Sequence, residues 1–145
     1  RGGTAYCMVI ISDEEIGSVF VEQADTLIIM NQLSLNKFES QLKRNGLMIL
    51  NTSLAQEIKN QGKYFLVAGN FSDLAAELSN PKIANVIALG FFIGQTKIVS
   101  QQNILDTINA MAPKGRNDLA DINKTAFLKA VELVNSKKEE KNGQS

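Results

Sequence analysis

Apolar positions in the first half of the chain come in short unbroken runs, while in the second half they recur at helical spacing. Residues 4–12 (TAYCMVIIS) are β-rich and mostly apolar, which predicts a buried strand. Asp25-Thr26-Leu27-Ile28-Ile29-Met30 predicts a second strand, buried on both faces. Leu47-Met48-Ile49-Leu50 and residues 63–68 (KYFLVA) predict two more. Between the second and third, Ser34 is placed to cap a helix bearing Leu35, Phe38 and Leu42, which Asn45-Gly46 would end. Strand, helix and strand at this spacing imply a parallel sheet. The fold class expected is therefore α/β: a three-layer domain with a mainly parallel sheet, helices on both faces and a helical C-terminal half.

In that second half, Phe71-Ser72-Asp73 opens a helix carrying Leu74, Ala75 and Leu78, and Asn80-Pro81 closes it. Residues 83–96 (IANVIALGFFIGQT) are apolar all round, so their helix must be central to the core, with a seam against another chain as the second reading. Gly90 and Gly94 cost helix propensity, which a closely packed neighbouring backbone would offset. Asn85, inside this run, is expected to be a buried and satisfied amide. A helix over residues 100–112 turns Ile104, Leu105, Ile108 and Met111 inward. After the break at Pro113-Lys114-Gly115, a long amphipathic helix carries Leu119, Ile122, Ala126, Ala130 and Leu133. One domain over residues 1–136 is expected, followed by a polar tail at 137–145 that frays.

Composition then narrows the chemistry. The 145 residues include 15 basic and 15 acidic side chains, so no net field gathers nucleic acid or an anionic membrane. The apolar run at 83–96 is too short to span a bilayer. There is no histidine, which removes any Ser-His or Cys-His dyad, and the single Cys7 suits a reducing, cytoplasmic setting and is expected to lie buried in the first strand. Zinc fingers and iron–sulfur clusters held by one copy are excluded as well. Ser12-Asp13-Glu14-Glu15 matches a capping box and predicts one helical turn, with a solvated turn preferred over a metal site. A short apolar stretch at 19–21 follows Gly17-Ser18. Asn31, Asn51, Thr52 and Ser53 stand where strands run out, the edge at which parallel α/β sheets bind ligands, although turn and capping chemistry would use the same residues. No catalytic and no metal-binding residue is assigned.

Several landmarks then fall in a recognisable order: Arg1-Gly2-Gly3-Thr4-Ala5, Ile11-Ser12-Asp13-Glu14-Glu15-Ile16, Ala24-Asp25, Gly46 before Leu47-Met48-Ile49-Leu50-Asn51, residues 74–80, and Ala84-Asn85-Val86-Ile87-Ala88-Leu89-Gly90. Together they resemble the gamma subunit of the 2-oxoacid:ferredoxin oxidoreductases, the pyruvate, 2-oxoglutarate and ketoisovalerate synthase family. Family members begin with a strand, a glycine-rich turn and a helix ahead of the RGG segment. Nothing of the kind precedes Arg1, so Arg1-Gly2-Gly3 is expected to be an internal loop of a longer subunit. A proline common after the serine that follows Ile16 is replaced here by Val19.

The resemblance implies function by assembly. Such complexes decarboxylate a 2-oxoacid on thiamine diphosphate and Mg, pass the acyl group to coenzyme A and send electrons through iron–sulfur clusters to ferredoxin. The thiamine diphosphate and the clusters belong to other subunits, so this chain binds no cofactor alone. The partners implied are alpha and beta subunits, with a delta or ferredoxin-like one in some complexes, and a homodimer in isolation is allowed. The gamma portion lies near the coenzyme A side, and Arg1 with Gly2 and Gly3 is the contact expected there, since a planar guanidinium followed by glycines lets phosphate or carboxylate approach closely. The alternative is a free-standing nucleotide- or acyl-CoA-binding α/β module; an independent enzyme fits poorly with the missing histidine.

Overall fold

The computed structural model describes residues 4–56, 58 and 62–142. Three parallel strands form one sheet in the order β1 (Ala24–Ile29), β2 (Leu42–Asn51), β3 (Phe65–Gly69). One face is covered by α1 (Gln32–Phe38), whose Leu35 and Phe38 pack with Ile29, Leu42, Met48 and Leu50. The other face is covered by α2 (Phe71–Glu77) and α3 (Ala84–Thr96), and behind α3 lies α5 (Asn117–Asn142). Helix α4 (Gln101–Met111) closes the far side of α3 and α5 with Ile104, Leu105 and Ile108. The three-layer α/β arrangement is the one expected. Among the described residues no helix is long and apolar enough to cross a membrane.

Helix α3 is apolar all round because it is enclosed. Ile87, Ala88 and Phe91 face the sheet-side core, and Ile93 meets Phe127 and Val131 of α5. Its two glycines let α5 approach. A Cβ on Gly90 would lie 2.5 Å from Ala130 Cβ and 2.7 Å from the Phe127 carbonyl oxygen, and one on Gly94 would lie 3.2 Å from Val134 Cβ. At the end of α3, Lys97 turns left-handed (φ 54°). The Lys138 ammonium then donates to the free carbonyls of Gly94 (3.0 Å) and Gln95 (3.4 Å), where a cation complements the helix C-terminus. Helix α5 runs on through Asn142.

Other expectations are corrected. Residues 4–12 do not form a strand: they join no ladder, Val9 and Ile11 lie in solvent, and Cys7 is exposed rather than buried. β-propensity without a partner strand leaves apolar side chains nothing to pack against. No helical turn forms at Ser12; its hydroxyl accepts from the Glu14 N–H (3.0 Å) within a bend. Val19 and Phe20 are likewise exposed. Strand β1, at the sheet edge among the described residues, is not buried on both faces: Ile29 is buried, while Ile28 is exposed.

The cap of α1 is Asn31, whose side chain accepts from Ser34 N–H (2.9 Å), and the helix stops at Phe38, which hands Leu42 to β2. Asn45-Gly46 does not end an element. It lies inside β2 at an irregularity, where Leu42 pairs with Ala24 and Leu47 with Thr26. Asn45 takes φ 62° there, and a Cβ on Gly46 would meet Asp25 O at 3.0 Å. Lys43 and Asp25 pair across the irregularity at 2.7 Å. Asn85 is exposed in the first turn of α3, and Met111, at the end of α4, is exposed too.

Tyr64 fastens the loop before β3 to the end of α1: its hydroxyl donates to Glu39 Oε1 at 2.6 Å. Burial of the ring, then the Glu39 carboxylate, hold this hydroxyl well above the usual phenol range. The folded state thus keeps a proton that the unfolded state releases near pH 10. The resulting stability is intact below about pH 10 and drains as pH rises past it. Tyr64→Phe is expected to flatten that alkaline loss in denaturant titrations run at pH 8 and pH 11. An unchanged slope would show that Tyr64 is not its source.

Candidate functional site

The C-terminal edge of the sheet gathers the polar strand-end residues. Asn51 closes β2 and is fully buried. Its Nδ2 donates to the Met30 carbonyl (3.1 Å) and to Ser72 Oγ (2.9 Å), and its Oδ1 accepts from the N–H of Ser53 (3.3 Å) and of Ser72 (3.4 Å). One side chain thus joins the end of β1, the turn after β2 and the start of α2. A buried amide must be satisfied, and all the hydrogen-bonding capacity of this one is used internally.

The neighbouring residues are held by the same logic. Ser53 Oγ accepts from Asp73 N–H at 3.2 Å, in the first turn of α2. The Thr52 N–H donates to the Gly69 carbonyl at 2.8 Å, tying the turn to the end of β3. Asn31 caps α1, and the next residue, Gln32, donates its N–H to the Leu54 carbonyl at 2.9 Å. Gln32 Oε1 accepts from the Gln56 N–H at 3.0 Å. Gln32, Ser53, Leu54 and Gln56 line a shallow depression on this edge.

The structure therefore brings Asn31, Asn51, Thr52 and Ser53 to one edge, as the strand-end reading expects. It also divides them by role. Asn51 and Asn31 are spent on the fold, while Ser53 borders the depression. Gln32, Leu54 and Gln56 are lining residues that the sequence reading passed over. The signal lay in the parallel sheet itself, since residues just beyond β1 and β2 must flank the same edge. Amides, a hydroxyl and a leucine can orient an uncharged polar group and shield it. Among these described side chains there is no carboxylate, thiol or amine. The groups whose titration is shifted, Tyr64 and the exposed Arg116–Asp118 pair, are not among them.

Arg1, Gly2 and Gly3 lie outside the described residues. Their attachment point is described: Thr4 Oγ1 accepts from Lys37 Nζ at 3.2 Å, and the Tyr6 ring packs on Phe38 with centroids 5.0 Å apart. Lys37 is in the last turn of α1, so Thr4 meets that helix at the end opposite Asn31. With seven residues, α1 is about 10 Å long. Thr4 and Asn31 thus stand at opposite ends of one short helix.

Comparison with known proteins places this geometry. The family model described as pyruvate ferredoxin/flavodoxin oxidoreductase matches residues 1–133. The 2-oxoglutarate synthase subunit KorC of Methanocaldococcus jannaschii is 29% identical over 136 residues, covering 92% of this chain and 71% of that protein. The ketoisovalerate oxidoreductase subunit VorA of Methanothermobacter marburgensis is 30% identical over 125 residues, covering 85% of this chain and only 26% of that one. Among solved structures, the keto/oxoacid ferredoxin oxidoreductase gamma subunit of Geobacter sulfurreducens superposes with a TM-score of 0.71 at 23% identity, over 79% of this chain and 66% of that one. A 2-oxoglutarate:ferredoxin oxidoreductase of Magnetococcus marinus, solved with 2-oxoglutarate, coenzyme A and succinyl-CoA, gives 0.68 at 15% identity, over 86% of this chain and 22% of that one. At these identities the structural likeness establishes a shared fold.

Proposed function

Because the chain belongs to the pyruvate ferredoxin/flavodoxin oxidoreductase family, as a subunit of the gamma kind, we propose that it contributes assembly and the coenzyme A side of the active site to a 2-oxoacid:ferredoxin oxidoreductase complex. The observation that carries this is the family match over residues 1–133, on a fold shared with a gamma subunit. The composition supports it. With no histidine, the chain offers no Ser-His or Cys-His pair, which supports leaving decarboxylation and electron transfer to other subunits. Thiamine diphosphate, Mg and the iron–sulfur clusters are placed there, with alpha and beta subunits as partners, ferredoxin as acceptor and the cytoplasm as the setting.

The residues present fit coenzyme A in part. Coenzyme A supplies the thiol that takes up the acyl group. Among the described residues the depression is lined by two amides, a hydroxyl and a leucine (Gln32, Ser53, Leu54 and Gln56), which suits the neutral pantetheine arm. For the phosphates the candidate in this chain is Arg1 with the amides of Gly2 and Gly3, three residues from a threonine that is itself bonded to Lys37.

Arg1→Ala in the complex reconstituted from purified subunits is expected to raise the KM for coenzyme A about tenfold or more, since a charge-assisted hydrogen bond contributes about 1.5–3 kcal/mol. Assembly should persist. Unchanged steady-state kinetics would remove Arg1 from the site. Tight coenzyme A binding by the isolated chain, with no turnover on adding partners, would favour a free-standing acyl-CoA-binding module instead.

A further inference from the structure

We infer that Gln32 is a positioning residue for coenzyme A: its side chain fixes the wall of the strand-edge depression formed by Leu54 and Gln56, so that the pantetheine arm meets a surface already in shape. The inference rests on the reading that this depression takes the arm, and it names the residue that keeps the wall in order.

The turn after β2 closes with the Leu54 N–H donating to the Asn51 carbonyl at 3.3 Å. Ala55 then turns into the core beside Ile29 and Leu35, where it is fully buried. The backbone on either side of Ala55 faces the start of α1. There the Leu54 carbonyl accepts from the Gln32 N–H at 2.9 Å, and the Gln56 N–H donates to Gln32 Oε1 at 3.0 Å.

This is the bond pattern of a parallel strand pair with one replacement. In such a pair the second bond would go to the backbone carbonyl of residue 32. That carbonyl opens the hydrogen-bond ladder of α1, so the side-chain carbonyl takes the bond in its stead. The first helical N–H, which has no partner inside a helix, is satisfied by Leu54 in the same arrangement. The far side of the amide is fixed too: Gln32 Nε2 donates to Asn36 Oδ1 at 2.9 Å, one turn along the helix. A glutamine held at both ends has already given up the rotamer freedom that its ordering costs.

Gln32 is half-buried, whereas Leu54 is 56% exposed and Gln56 is exposed. The side chains open to a ligand therefore stand on backbone whose place Gln32 sets. Ser53, the other lining residue, is held separately, from the first turn of α2. A wall ordered before binding spares the ligand the cost of ordering it, and the saving appears as affinity. None of these bonds involves the edge of β1 or residues 4–20.

The test uses the complex reconstituted from the full chain and its purified partner subunits. Gln32→Ala removes the side-chain oxygen and leaves the backbone N–H in place. It is expected to raise the KM for coenzyme A about fivefold, with kcat and the KM for the 2-oxoacid close to wild type, the signature of lost uniform binding. Hydrogen exchange on the complex without coenzyme A should show the Gln56 amide losing protection. Gln32→Glu keeps an oxygen for the Gln56 N–H, and the Asn36 amide can turn over to donate to it, so both the KM and the protection should return toward wild type. A Gln32→Ala complex that loses protection at Gln56 yet keeps the wild-type KM for coenzyme A overturns the positioning role. Leu54→Asp, at an exposed lining position, separates that failure from a failure of the underlying reading. If it raises the KM while Gln32→Ala does not, the depression takes the arm without help from Gln32. If neither variant moves the KM, the arm does not bind at this edge and the reading falls with the inference.

Discussion

Gly90→Val is expected to cost about 3 kcal/mol of unfolding free energy, a large share of the roughly 5–15 kcal/mol that holds a domain of this size. The added Cβ would sit 2.5 Å from Ala130 Cβ and 2.7 Å from a backbone oxygen of Phe127, and the backbone of α5 cannot swing aside as a side chain can. The two helices would have to separate, which loosens Phe91, Phe127 and Val131 together. In thermal unfolding the midpoint should fall by about 10 °C. The informative control is a pair of alanines. Gly94 faces Val134 at 3.2 Å, so a methyl there is nearly accommodated, and the propensity gain of about 1 kcal/mol offsets the crowding. Gly94→Ala should be close to neutral and Gly90→Ala clearly destabilising. Equal effects would mean that close approach to α5 is not why Gly90 is glycine.

Asn51→Leu should be as damaging, for a different reason. The leucine keeps the branched four-atom skeleton but abandons four partners in a fully buried site: the Met30 carbonyl, the Ser72 hydroxyl and the N–H groups of Ser53 and Ser72. Each buried group left unsatisfied costs about 1–3 kcal/mol, and with some relaxation toward water about 4 kcal/mol in total is expected. Hydrogen exchange gives the specific readout, because the amides of Ser53 and Ser72 should lose protection more than the middle of β2 does. Ser53→Ala, which removes one bond to the first turn of α2, should cost only about 1 kcal/mol. If Asn51→Leu proves as mild as Ser53→Ala, the strand-end edge is not held by that amide.

Much of this architecture is legible in the sequence because it depends on local pattern. The apolar runs of β2 and β3, the all-round apolarity of α3 and the helical spacing of Ile104, Leu105 and Ile108 in α4 each predict their element from a few neighbouring residues. What escapes depends on partners far along the chain. Residues 4–12 have the composition of a strand, yet a strand exists only where another strand pairs with it. Asn45-Gly46 has the chemistry of a terminator, yet the pairing of β2 with β1 absorbs it as an irregularity. Ser34 and Asn31 are both plausible caps, and the choice turns on where the chain leaves β1. At the candidate site the strand-end asparagines are legible by position. Their division into Asn51, spent on the fold, and Ser53, beside the depression, needs the turn and α2 in place.

The closeness of α3 and α5 also sets an order of events during synthesis. The partner of Gly90 at Ala130 lies 40 positions later in the chain. At about 5–20 residues per second, a ribosome that has made α3 needs roughly 2–8 s more before the helix that shelters it exists. Through that interval the nascent chain carries its most apolar segment without its cover, which makes α3 the stretch where a chaperone would have to act.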